Sequence, residues 1–197
     1  MKSDIILAGV GGQGILSIAA TIGMAAVDND LHLKQAEVHG MSQRGGDVQS
    51  HLRVSSKTIA SDLIPRGKAD LILSVEPMES LRYLPYLSSQ GWLVTNTTPF
   101  VNIDNYPEMD EVLAKIKEQP RHIAIDADKI AAEIGSKRSS NIVMLGAASL
   151  FIDIAFEALE KGINTIFERK GQKVVDLNVE ALRAGRKAAE AIKAQLN

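Results

Sequence analysis

No cysteine occurs among the 197 residues of this chain, and that absence excludes a conventional cysteine-ligated iron–sulfur cluster, a thiol nucleophile, a zinc ribbon and any disulfide. Charge of one sign is also lacking. With 22 Lys+Arg against 24 Asp+Glu the formal net charge is −2, so electrostatics gives no reason to expect nucleic acid or an anionic membrane as partner. Long apolar runs are missing too. Residues 5–27 carry no charge and follow Lys2 in the manner of a signal peptide, but Gly9, Gly11, Gly12, Gln13 and Gly14 interrupt them after four apolar residues, which is too broken for a membrane span. The later run 142–152 ends at Asp153, too early to cross a bilayer. A cytoplasmic protein is expected. What is present, 45% hydrophobic and 23% charged residues, is the composition of a folded domain. The length suits a single domain over residues 1–197.

The order of patterns points to an α/β fold. Residues 5–8 (Ile-Ile-Leu-Ala) form the short apolar run of a strand buried on both faces. A glycine cluster follows, then an Ala- and Ile-rich helix over Ile15–Val27 and a second strand over 31–38. Strand, glycine turn, helix and strand make a βαβ opening. Residues 48–54 then alternate, with Val48, Ser50, Leu52 and Val54 on one side and Gln49, His51 and Arg53 on the other. That is the period of a half-buried, antiparallel strand. A further extended piece is expected at 58–61. The pattern therefore predicts a three-layer, Rossmann-like, mostly parallel sheet with an antiparallel β excursion inserted after the second strand.

Beyond the excursion the alternation resumes. Strands are expected at 69–75, 92–96 and 122–125, with Gly91 restarting the chain into the second of them. Helices are expected from Glu76-Pro77 onward, over 109–117, and after an Asp126 cap until Gly135. One apolar helix is expected over 142–159, ended by Lys161-Gly162, and an amphipathic one over 178–196.

Two loops carry candidate chemistry. Gly9-Val10-Gly11-Gly12-Gln13-Gly14 matches G-x-G-x-x-G between a strand and a helix. Such glycines let a backbone approach a diphosphate, and the helix start offers free N–H groups. Glu37 falls about where a ribose-binding acid would sit. The plainer alternative is a tight β–α turn with no ligand. The second loop, residues 37–46, gathers Glu37, His39, Ser42, Gln43, Arg44 and Gly45 at the carboxyl end of a strand. Open α/β sheets bind ligands at that edge, and a glycine-flanked Arg44 can grip a phosphate or carboxylate in bidentate fashion; the alternative is a polar surface loop. Ser42 lacks the G-x-S-x-G context of a hydrolase nucleophile. The four histidines (His32, His39, His51, His122) show no ligand spacing, so no metal site is expected. Lys137, Arg138, Ser139, Ser140 and Asn141 precede a helix and read first as solvated capping residues, with an anion site as the alternative. Gly46-Asp47-Val48 breaks the G-D-G pattern of thiamine enzymes.

Taken with E-V-H-G-M-S-Q-R-G-G at 37–46, S-H-L-R at 50–53, A-D-L-I-L at 69–73, E-P-M-E-S-L-R-Y-L-P-Y-L at 76–87, N-I-V-M-L-G-A at 141–147 and N-V-E-A-L-R-A-G-R at 178–186, the glycine string at 9–15 resembles the gamma-type subunit or domain of 2-oxoacid:ferredoxin oxidoreductases. Within that family it looks most like the small (beta) subunit of the indolepyruvate branch. The resemblance implies a subunit that is inactive alone. Its complex would oxidise an aryl 2-oxoacid to acyl-coenzyme A and pass electrons to ferredoxin. It also implies that thiamine diphosphate, magnesium and the [4Fe–4S] clusters belong to a larger partner subunit, and that no catalytic residue lies in this chain. The expected ligand set, for coenzyme A or substrate, is Gly9, Gly11, Gly12, Gln13, Gly14, His39, Ser42, Gln43, Arg44, Gly45 and Asn141. Two other classes stay open: a nicotinamide-dependent dehydrogenase built on Gly9, Gly11, Gly14 and Glu37, and a purely structural subunit.

Overall fold

A computed structural model describes residues 1–39, 45–101 and 103–196, with the side chain of His39 not described. Residues 40–44, and with them Ser42, Gln43 and Arg44, lie outside the described set. Six strands are present among the described residues: β1 (Lys2–Val10), β2 (His32–His39), β3 (Asp47–Ser55), β4 (Ala69–Ser74), β5 (Leu87–Asn96) and β6 (His122–Ile125). Seven helices accompany them: α1 (Ile15–Val27), α2 (Pro77–Arg82), α3 (Met109–Lys117), α4 (Ala127–Glu133), α5 (Ser140–Ala148), α6 (Phe156–Phe167) and α7 (Gln172–Leu196). The sheet order is β2-β3-β1-β4-β5-β6. β1, β4, β5 and β6 are parallel, and β3 runs antiparallel between β1 and β2. This is the mixed, mostly parallel α/β sheet expected from the sequence, with β3 as the inserted excursion.

Strand alternation sorts the core into two layers. Ile5, Leu7, Leu52, Leu71, Leu73, Val94 and Ile123 face one side and pack with residues of α1, α4, α5, α6 and α7. Ile6, Ala8, Ile72 and Leu93 face the other, under Tyr83, Val112, Ile116 and Ile64. β3 was expected to be half-buried, yet His51 on its second face is buried as well. The cause is the segment 56–68, which folds back over that face in place of the extended piece expected at 58–61. Arg53 pins it by donating to the carbonyls of Ser61 (3.0 Å) and Leu63 (3.1 Å). The same guanidinium holds the buried Asp4 through Nε (2.8 Å) and Nη2 (3.0 Å), and His51 Nδ1 accepts from the Ile64 amide at 3.0 Å.

Three helix and strand boundaries differ from expectation. β5 begins at Leu87, ahead of Gly91, and its register with β4 shifts between Ala69 and Leu71. A Cβ on Gly91 would lie 2.7 Å from the Ala69 carbonyl, so glycine is needed for strand contact and not for a restart. The apolar stretch 142–159 is two helices. After α5 the chain turns through 149–155, where the Asp153 amide donates to Ser3 Oγ at 2.9 Å, and α6 then runs through Gly162, whose missing side chain admits the Thr21 carbonyl of α1. α7 starts at Gln172, because Gly171 at φ 92° opens it.

Candidate functional site

The carboxyl ends of β1, β4, β5 and β6 share one edge, where open α/β sheets place ligands. Each member of the first glycine turn has a separate job there. Gly9 lies within β1, where a Cβ would sit 2.4 Å from Val75 Cγ2, so packing alone requires it. Gly12 (φ 102°) and Gly14 (φ 83°) occupy left-handed backbone, which glycine enters without steric cost. Gln13 turns its carboxamide inward: its Oε1 accepts from the Val10 amide at 2.8 Å and its Nε2 donates to the Val75 carbonyl at 3.4 Å. The turn is thus rigid. Gly14 precedes α1 with no side-chain cap, and the first amides of a helix have no partner within it. They make α1 a start suited to an anion.

The two glycine turns meet. The Gly11 amide donates to the Gly46 carbonyl at 2.8 Å, and the Gly45 amide donates to the Gly11 carbonyl at 3.4 Å. Asn141, expected among the ligand residues, is also drawn in. Its Nδ2 donates to the Gly14 carbonyl at 3.0 Å, and a Cβ on Gly14 would lie 2.5 Å from that nitrogen.

On one side of the turn lies a cleft of about 350 Å³ floored by Gly12, Gln13 and Gly14. One wall carries Ser136, Arg138, Ser139 and Asn141, the other Lys170 and Asn178, and no carboxylate among the described residues lines it. Ser139 and Asn141 are 3% and 8% exposed, and neither end of this segment supplies a side-chain cap to α5. The capping role expected for 137–141 is therefore corrected: Arg138, Ser139 and Asn141 line a cleft wall, while Lys137 is exposed to solvent. Ser136 and Ser139 hydroxyls are 2.7 Å apart. Lys170 lies 5.1 Å above the Phe167 ring, a cation–π contact that holds its ammonium beside the cleft. Nothing local in the sequence marks Lys170 or Asn178; the turn before α7 carries the first and α7 the second to the glycine turn from far along the chain.

A second cleft of about 270 Å³ lies on the opposite side of the turn, between Val10–Leu16, Glu37 and Val48. Glu37 does reach the glycine turn, but β3 separates its strand from β1. In a dinucleotide-binding βαβ unit the acid-bearing strand and the glycine-turn strand are neighbours. Here they are two strand spacings apart, roughly 10 Å.

An acidic network with no forecast in the sequence occupies the other face of this edge. Glu76 is fully buried and accepts from the Glu79 amide at 2.8 Å, from the Phe100 amide at 3.3 Å and from the Tyr106 hydroxyl. Asp47 accepts from the Tyr83 hydroxyl at 2.7 and 2.8 Å, while Glu79 takes Arg82 Nε at 2.7 Å. Burial, and then the neighbouring carboxylates, push both phenols well above the ordinary tyrosine value. Burial first, and then Arg53, hold the His51 imidazole below its usual range, so it stays a neutral acceptor.

These residues do not fit the prosthetic groups of a thiamine and iron–sulfur enzyme. Cysteine is absent. Asp47, at the position where a thiamine motif would be sought, spends its carboxylate on Tyr83. Among the described residues no group of three His, Asp or Glu side chains is arranged to hold a metal ion, and no helix is long and apolar enough to cross a membrane.

Comparison with known proteins gives the family of the chain and the fold it shares. Indolepyruvate oxidoreductase subunit IorB of Thermococcus kodakarensis is 37% identical over 196 residues, covering 95% of this chain and 96% of that one. The same subunit of Archaeoglobus fulgidus is 35% identical over 192 residues, with 94% of each chain covered. In fold, the chain matches 2-oxoglutarate:ferredoxin oxidoreductase from Magnetococcus marinus with a TM-score of 0.75 at 24% identity, over 96% of this chain and 31% of that longer polypeptide. Residues 4–188 match the model of the pyruvate ferredoxin/flavodoxin oxidoreductase family, and the chain belongs to that family.

Proposed function

We propose that this chain is the small subunit of an indolepyruvate-type 2-oxoacid:ferredoxin oxidoreductase, and that its glycine-floored cleft receives the phosphate-bearing end of coenzyme A. The observation that carries the reading is the convergence of Gly12–Gly14, Asn141, Arg138 and Lys170 on one cleft that no carboxylate among the described residues lines. Open helix amides, two cations and several neutral donors make a surface that favours phosphate oxygens. Thiamine diphosphate, its magnesium and the [4Fe–4S] clusters fall to a larger partner, which supplies the decarboxylating and electron-carrying chemistry. This chain binds, orients and excludes water at the edge of the shared cleft. Ferredoxin meets the complex through that partner, in a cytoplasmic setting.

The nicotinamide reading loses support from β3, which displaces Glu37 from the strand beside the turn, and from the inward carboxamide of Gln13. On the far side of the turn, Glu37 also makes the second cleft less suited to a diphosphate.

The test uses the chain assembled with its partner. Arg138→Ala and Lys170→Ala should each raise the KM for coenzyme A about tenfold, as loss of one charge-assisted contact implies, with the KM for the aryl 2-oxoacid unchanged. Arg44→Ala should lower kcat/KM roughly ten- to hundredfold, and Arg44→Lys should restore only part of it. Oxidation of 2-oxoacids by this chain alone, or unchanged coenzyme A kinetics in both cleft variants, overturns the reading.

A further inference from the structure

The loop that follows β5 leaves the same sheet edge as the glycine turn and is fixed to the same peptide. The Val75 carbonyl, just past β4, accepts from Gln13 Nε2 of the turn and from Asn96 Nδ2 at the end of β5, each at 3.4 Å. Asn96 Oδ1 takes the Thr98 amide at 3.4 Å and the Ala127 amide at 3.0 Å, and Thr98 Oγ1 donates to Asp126 at 3.1 Å. Glu76, the residue after Val75, holds the farther part. Its Oε1 accepts from the Phe100 amide at 3.3 Å and from the Tyr106 hydroxyl. Pro99 and Pro107 restrict the backbone within these anchors. The loop is thus pinned at both ends to the edge that carries the cleft.

What the pinned loop presents to solvent is apolar. Phe100, Val101 and Ile103 are 42%, 68% and 42% exposed, so three large hydrophobic side chains stand in water within four positions. Exposed apolar residues scattered singly are ordinary, but a cluster on an anchored loop marks a surface that another molecule covers. Its rim is acidic. Asp104 and Glu108 are exposed, and Glu108 holds the cap position of α3 without capping it through its side chain. Asp110 and Glu111 complement the amino end of α3 and add to the same sign. No Lys or Arg occurs between Arg82 and Lys115, and Lys115 lies against Glu118 at 3.8 Å. Among the described residues, therefore, no cation pairs with the carboxylates of Asp104 or Glu108.

We infer that Phe100, Val101 and Ile103 seat in an apolar, basic-rimmed recess of the larger thiamine-bearing partner. Naming that partner rests on the function proposed above. With the phosphate end of coenzyme A in the glycine-floored cleft, the thiol end has to reach chemistry that the partner supplies, so the partner covers this sheet edge. The loop is the part of the edge that offers it apolar area. A second copy of this chain is a poor occupant, because a two-fold contact through the patch brings its own carboxylates face to face. Holding the loop in place beforehand lowers the ordering cost of docking. The shared Val75 anchor then sets the partner's position relative to the glycine turn, with Glu76 as a positioning residue that touches no ligand itself.

Association of the full chain with the larger subunit, read as a Kd by calorimetry, tests the seat. Val101→Asp should raise Kd about thirtyfold, as loss of a central apolar contact implies. The Tm of the chain alone should stay within about 2 °C of wild type, because the side chain faces solvent. Val27→Asp, at a comparably exposed apolar position on the far end of α1, should leave Kd unchanged. Raising salt from about 0.01 to about 1 M should weaken wild-type association about tenfold, and Asp104→Asn combined with Glu108→Gln should lose most of that dependence. A Val101→Asp chain weakened no more than Val27→Asp overturns the seat, and an association indifferent to salt overturns its basic rim. Self-association of the chain alone that Val101→Asp abolishes would give the patch to a second copy and overturn the seat as well. Weakened association in Val101→Asp, with coenzyme A kinetics unchanged in Arg138→Ala and Lys170→Ala, would uphold the seat and remove the cleft reading; the converse would overturn the seat alone.

Discussion

α5 and α7 cross with backbone against backbone, and a single methyl group tests how much of the fold depends on it. A Cβ built on Gly185 lies 1.9 Å from the Val143 carbonyl oxygen, and one on Gly146 lies 2.0 Å from the Leu182 carbonyl oxygen. Both fall about 1.5 Å short of ordinary van der Waals contact, and the obstructing atoms are helix backbone that cannot rotate away. Gly185→Ala must therefore push the helices apart across a contact that also buries Val143, Ala147, Leu182 and Ala189. Helix propensity favours alanine by about 1 kcal/mol. Overpacking with loss of dispersion contact costs more, so a net loss of about 2–3 kcal/mol is expected. For a chain of this size that lowers Tm by roughly 5–10 °C. Gly162→Ala, whose Cβ would stand 2.8 Å from the Thr21 carbonyl, should lose less; Gly23→Ala, which meets only the end of Leu33 at 3.1 Å, should be near neutral. Thermal denaturation of the three variants gives the order. Gly185→Ala melting at or above the wild type, or Gly23→Ala melting lowest, would refute the close-crossing argument. Because Asn141 on α5 and Asn178 on α7 line the cleft, a destabilised but folded Gly185→Ala should also bind coenzyme A more weakly in the complex.

Two further outcomes follow from charges elsewhere in the molecule. Burial would raise the Asp4 carboxyl, but Arg53 and Lys2 outweigh it and hold it below the ordinary value; the stability this supplies is present above about pH 4 and lost as pH falls through the depressed value. Asp4→Asn should then cost about 1.5–3 kcal/mol near neutrality, because the Arg53 guanidinium keeps its Ser61 and Leu63 carbonyls but loses its charged partner, and should flatten the acid limb of urea-unfolding profiles; an unchanged acid limb counts against the pair. At the other end of the sheet, Trp92, the single tryptophan, stacks on Phe151 at 4.3 Å with the Lys193 ammonium 5.6 Å from its ring. Lys193→Ala should change the emission of Trp92 while costing only about 0.5–1 kcal/mol, and an unaltered spectrum would mean that the end of α7 is not docked there.

The strands, their order of appearance and the turn chemistry were legible because they depend on near neighbours. Period-two alternation marks β3, apolar runs mark β1 and β4, and Asp126 and Glu76 accept from the amides three residues on as capping side chains do. Glycine needs at Gly12 and Gly14 follow from local backbone geometry. The family resemblance rests on the same kind of contiguous string.

What no local pattern carries is how distant segments meet. The run 142–152 is almost wholly apolar, so its periodicity does not say where the helix ends; the break comes in the turn where the Asp153 amide meets Ser3 of β1. Gly146, Gly162 and Gly185 sit inside helices, where propensity disfavours glycine, because another backbone passes there. Arg138, in the turn before α5, and Lys170 and Asn178, in the turn before α7 and on α7 itself, come to face each other across the glycine turn only because α5 and α7 pack together. The Tyr83–Asp47 hydrogen bond needs β3 laid beside β1 under the end of α2, which is a property of the packed chain.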